Sequence, residues 1–246
     1  MLGKVAATTM LTVGLISPAW GQTGKADATL SGVAAKALGF FERIEGRNFD
    51  DYLKRVRLPK VSESFKARVL ANLARGEAVR PSTGMRAKLA TLEPVLRYHE
   101  REAVVETKVI NLTHALVGLQ GRAVLLISEK ALHLLTADEL RAAAAHEMAH
   151  EYFWGEYQEA RQRKQYDALR EIELLCDGIA VVTLERLGLD PADLVSGIEK
   201  IHSLNTRIGN LDRLPHPSPD ERFKFIRAMT ELVKARNRAA SALVRQ

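Results

Sequence analysis

Hydrophobic positions along this chain recur mostly at helical spacing, three or four residues apart, and condense into dense aliphatic runs in one stretch only. After a polar lead, QTGKADATLSG, helical periodicity runs from about Val33 to Ile44 and again from about Ser62 to Ala74. Arg75 to Gly84, RGEAVRPSTG, reads as a loop because Pro and Gly flank a Ser-Thr pair, and a further helix is predicted from about Met85 to Arg101. Strand-like sequence follows. Ala103 to Leu112 and Ala115 to Ser128 are rich in β-branched and aliphatic residues, and Gly-Leu-Gln-Gly offers a turn, so a small mixed or antiparallel sheet is predicted here. From Glu129 onward the pattern is helical. Thr136 with Glu139 three residues on has the form of a capping box, which starts a long helix near Ala137. Gly188 reads as a helix stop, Asp190-Pro191 as the next start, and Ser218-Pro219-Asp220-Glu221 as the last. The fold class predicted is α+β, mostly helical, without internal repeats.

The first residues follow a different pattern. Lys4 precedes an apolar run from Val5 to Ile16, then Ser17-Pro18 and Ala19-Trp20-Gly21, which has the layout of a secretory signal cleaved near Gly21. An apolar run of about twelve residues is short of the roughly 20 needed to span a bilayer, so cleavage is expected over anchoring. Residues 1–21 are therefore read as a signal peptide and 22–84 as an N-terminal helical region. A periplasmic location follows as the expectation.

Composition narrows the function classes. The chain has 246 residues, 46% hydrophobic and 27% charged, ample for an ordinary globular core. Its net charge of +6 is spread over 36 basic and 30 acidic residues with no basic block, which argues against nucleic acid as a partner. A single cysteine, Cys176, excludes an internal disulfide and leaves packing, and a metal, to provide stability.

Candidate chemistry lies in RAAAAHEMAHEYFWG, Arg141 to Gly155. His146 and His150 are four apart, so a helix projects both from one face, and Glu147 beside them can reach a water on a shared ion. This is the H-E-x-x-H arrangement of zinc hydrolases. The longer H-x-x-G-x-x-H continuation is absent, since Phe153 and Glu156 occupy the Gly and last His positions. A third ligand is then sought on a following helix. In EIELLCDGIA, Glu173 and Asp177 share a face, with Glu173 as ligand and Asp177 as acceptor for the outer N–H of a ligating histidine. Glu171 is the rival ligand, but its partner position is Leu175, so Glu173 is favoured. Two carboxylates on so apolar a helix need partners, and a metal with a histidine N–H supplies them. Cys176 is expected to be a packed side chain, one residue off the ligand face.

With these motifs in order, followed by HPSPDERF from His216 to Phe223, the chain resembles the HtpX and BepA type of zinc metallopeptidases over roughly Val104 to Ile226. The resemblance implies a zincin-like metallopeptidase domain over 85–246, with a small sheet beside the H-E-x-x-H helix and the Glu-ligand helix. It implies one Zn2+ per chain on His146, His150 and Glu173, Glu147 as catalytic base, and Asp177 behind the ligands. It brings in His216 as a donor to a developing oxyanion or a latch on the metal, and Arg222 as a holder of that loop or of a ligand carboxylate. The family often has Ala where this chain has Cys176, and Asn-Ala where it has His114-Ala115. The expected activity is zinc-dependent endopeptidase action on unfolded or misassembled envelope proteins, with peripheral membrane association as a further expectation. The rival is a non-catalytic periplasmic chaperone or assembly factor with a structural or latched zinc site. An extended substrate is expected to pair with the sheet around Ala123 to Ser128.

Overall fold

The computed structural model describes residues 30–44, 49–56, 58, 60–72, 78–210 and 216–244. The expected signal segment lies outside them. The described chain is mostly helical with one small sheet, in the order α1 (Gly32–Glu42), α2 (Phe49–Arg55), α3 (Glu63–Asn72), α4 (Thr83–Ala90), α5 (Glu93–Tyr98), β1 (Glu106–Ile110), β2 (Val117–Gln120), β3 (Val124–Ser128), α6 (Glu129–Leu134), α7 (Ala137–Ala149), a 3-10 turn (His150–Phe153), α8 (Trp154–Gln162), α9 (Tyr166–Arg186), α10 (Ala192–Arg207) and α11 (Pro219–Val244).

Local chemistry accounts for most boundaries. The capping box at α7 is complete: Thr136 Oγ1 accepts from Glu139 N–H, and Glu139 accepts from Thr136 N–H. Gly188, at φ +69, follows the end of α9, and Ser218 Oγ accepts from Glu221 N–H at the start of α11. Two helices stand where one was predicted over Met85 to Arg101. Pro94, near the start of α5, lacks an N–H and its ring excludes a preceding helical turn, so α4 stops at Ala90. The short α2 was not predicted, being too brief at seven residues for periodicity to register.

In the sheet, β1 pairs parallel with β3 and β2 pairs antiparallel with it, in the order β1-β3-β2. The hairpin reverses at Gly121 and Arg122, both at positive φ, while Gly118 lies inside β2 rather than in the turn. The expectation that substrate pairs with Ala123 to Ser128 is therefore overturned: β3 is the central strand, with both edges occupied. The outer edge of β1 is also covered, because Val79 N–H donates to Val109 C=O at 2.9 Å and Ala78 bridges Ile110. Among the described residues, the open edge is that of β2.

Helix α9 runs through the core. Leu169, Ile172 and every residue from Glu173 to Leu184 are buried, packed by α7 and α8, by α11, and by α1. At Gly178 an added Cβ would lie 2.3 Å from the Phe41 ring, so α1 reaches the helix that carries Glu173 and Asp177 only because this position has no side chain. One core extends from Ala34 to Val233, joining the helices before residue 85 to those after it. Buried Glu139 also accepts from Ser196 Oγ at 2.5 Å and Lys200 Nζ at 2.8 Å, which fixes α10 across the start of α7. Among the described residues, no helix is long and apolar enough to cross a membrane.

Candidate metal centre

Helices α7 and α9 cross antiparallel, so His146 faces Asp177 and His150 faces the turn carrying Glu173 and Cys176. The chain tightens from α to 3-10 geometry at His150, which still leaves the two imidazoles together, their centroids 5.1 Å apart. His146, Glu147 and His150 form a group that could hold a metal ion, with ligand atoms all within 4.8 Å of one another. Glu173 comes to the same place from α9: its Oε2 is 3.3 Å from His146 Nε2 and its Oε1 is 3.7 Å from His150 Nε2. Two donors each about 2.1 Å from a tetrahedral ion lie roughly 3.4 Å apart, so this set has the separation such an ion requires. Donor chemistry and spacing therefore fit a divalent metal.

The surroundings favour a fixed arrangement. His146 Nδ1–H donates to Asp177 Oδ1 at 2.9 Å, which turns Nε2 toward Glu173, where it can bind an ion once its proton is given up. Arg222 grips the same carboxylate with two bonds, Nε to Oδ2 at 2.8 Å and Nη2 to Oδ1 at 2.5 Å. Arg222 thus bonds Asp177 directly, and its charge also interacts with the nearby carboxylates of Glu173 and Glu147. Burial raises the cost of the Asp177 charge, but Arg222 and His146 outweigh it and hold the carboxyl below its usual range. Burial likewise opposes ionisation of Glu173, and His150, His146 and His216 together hold it well below the usual carboxylate range. Burial disfavours a charged His146, yet the Asp177 and Glu173 carboxylates lift it to about 10 when no ion is bound.

Glu147 is held differently. Its Oε2 accepts the backbone N–H of Leu119 at 2.8 Å, so the carboxylate is anchored to the open edge of β2. His216 lies on the loop before α11 with Nδ1 3.4 Å from Glu173 Oε2, and its side chain remains one-third exposed at 33%. Glu171, the rival ligand, points away and pairs with Lys36 Nζ at 2.5 Å. A cleft of about 940 Å³ passes over these residues, floored by β2 and walled by α8 and α10.

Three contacts were not foreseen. Cys176 Sγ is 3.5 Å from His150 Nδ1, so the packed cysteine also stands behind the second histidine, and burial together with the nearby carboxylates pushes its thiol well up, keeping it protonated. Asn205 on α10 bonds both backbone groups of Ala115. Glu151, next to His150, is buried between Arg101 Nη2 at 2.8 Å and Arg122 Nη2 at 2.7 Å, tying the hairpin turn to the end of α7. The sequence signal for the last was an acid directly after the motif. For the other two there was none, since both depend on how helices cross. Compared with known proteins, the chain matches no family model and no curated protein.

Proposed function

We propose that this chain is an exported zinc-dependent endopeptidase of the H-E-x-x-H, glutamate-ligand type, acting on unfolded or misassembled envelope proteins. The observation that carries this reading is Glu173 set 3.3 Å and 3.7 Å from the two histidine Nε2 atoms, with the carboxylate of Glu147 beside them. His146, His150 and Glu173 would hold the ion, which when bound acidifies a water and polarises a carbonyl. Glu147 fits the role of base rather than ligand because one oxygen is anchored by Leu119 N–H, leaving the other to take a proton from water and pass it to the leaving amine. A purely structural site has no use for such a group. Asp177 keeps His146 in the tautomer that presents Nε2, and Arg222 keeps Asp177 ionised.

A second reading, a chaperone or assembly factor with a latched zinc, draws on His216, whose ring already reaches Glu173. In that reading His216 fills the position a water would take. His216→Ala separates the two: faster cleavage of an unfolded reporter supports a latch on an enzyme, slower cleavage supports a donor to the oxyanion, and no cleavage by either form favours the chaperone. The direct test of the proposal is Glu147→Gln, expected to keep the metal and lose cleavage by at least about a hundredfold. Full activity in that variant removes Glu147 as the base.

A further inference from the structure

We propose that Asn205 closes one end of the open edge of β2, so that an extended peptide docks in a single register through Val117; this rests on the peptidase reading above. Leu116 C=O accepts from Ser128 N–H at 2.8 Å and Leu116 N–H donates to Ser128 Oγ at 2.9 Å, so residue 116 faces β3. In an antiparallel ladder the direction alternates, which turns 118 and 120 the same way and leaves Ala115, Val117 and Leu119 facing the cleft.

Two of those three are already engaged. Ala115 N–H donates to Asn205 Oδ1 and Ala115 C=O accepts from Asn205 Nδ2, both at 2.9 Å. One primary amide thus satisfies a whole residue's backbone, as a neighbouring strand would. Its helix is fixed on α7 through Ser196 and Lys200, so the block is built on a rigid element. At the other end Leu119 N–H is taken by Glu147. Among the described residues, what remains for a peptide is the N–H and C=O of Val117 and the C=O of Leu119.

This pattern selects a register. In antiparallel pairing one peptide residue exchanges both bonds with Val117. The residue two positions earlier in the peptide meets Leu119, where its N–H finds the Leu119 carbonyl but its C=O finds no edge donor. That carbonyl is the one left beside Glu147 and the histidines. The bond presented for cleavage is therefore the one following it, and the residue bound by Val117 is the second after the cut. A pairing extended further would put the fourth residue after the cut against Ala115, which Asn205 occupies.

The test is a backbone N-methylation scan of a peptide that the protein cleaves, with cleavage rate and peptide affinity both read. In the native chain, methylating the second residue after the cut should weaken recognition roughly five- to tenfold, as expected for one lost hydrogen bond, and methylating the fourth should change nothing. In Asn205→Ala the fourth position should become sensitive by a similar factor. Asn205→Asp keeps the acceptor for Ala115 N–H but removes the donor to its carbonyl, and should show the same new sensitivity without loosening the helix. Sensitivity at the fourth position already in the native chain, or at neither position in any form while cleavage persists, overturns the register stop and leaves the peptidase reading standing. A chain that neither binds nor cleaves any peptide brings down both.

Discussion

At the level of single residues, the site depends on buried charges that satisfy one another. Asp177 is fully buried and shared by His146 and Arg222, so Asp177→Asn should lower zinc affinity about 10- to 100-fold and, by leaving Arg222 without its counter-charge, destabilise the fold by about 3–5 kcal/mol. Chelator competition and thermal melting check the two effects; unchanged affinity would show that the orientation of His146 does not depend on this carboxylate. Away from this site, buried His99 donates from Nε2 to Thr183 Oγ1, whose hydroxyl donates onward to Ile179 C=O, and accepts at Nδ1 from Tyr152 Oη. Burial, helped by Arg101, pushes this imidazole down to about 3, so the folded protein holds it neutral while the unfolded chain protonates near 6.5. Its contribution to stability is complete above about pH 6.5 and is lost as pH falls toward 3, at roughly 1.4 kcal/mol per unit. With chelator present, the melting temperature of the native chain should fall more steeply between pH 7.5 and 4.5 than that of His99→Gln. Parallel slopes would contradict this. The candidate ligands were legible because four-residue spacing on a helix translates directly into geometry. The contact of Cys176 with His150 was not, because it requires the register in which two helices cross.

At the level of elements, position in the fold decides what a residue can do. The capping box, the stop at Gly188 and the start at Ser218 were readable because each is chemistry within a few residues of sequence. Strand order was not, since aliphatic content marks β3 as a strand but carries no information on which neighbour covers its edges. The consequence is practical. Val124→Pro would break the central strand and unfold the protein rather than merely weaken peptide binding, because Val124 is fully buried and pairs with Glu106 on one side and Gln120 on the other. Gly178→Ala tests the contact between α1 and α9: its methyl group would collide with the Phe41 ring, so a loss of about 1–3 kcal/mol is expected, recovered in part by Phe41→Leu. A neutral Gly178→Ala would mean that α1 does not set the position of α9.

For the whole molecule, a continuous core ties the N-terminal helices to the candidate centre, so metal binding and global stability should move together. Sequence composition anticipated a mostly helical α+β chain but not that α1 would form part of the wall behind the site, because helical periodicity shows which face is apolar and not what meets it. The measurement that bears most directly on the central claim is zinc per purified chain, native against Glu173→Ala, by elemental analysis after dialysis. About one zinc in the native protein and its loss in the variant are the expected result. No zinc in the native chain after metal is added, or equal zinc in both, would contradict a centre built from His146, His150 and Glu173.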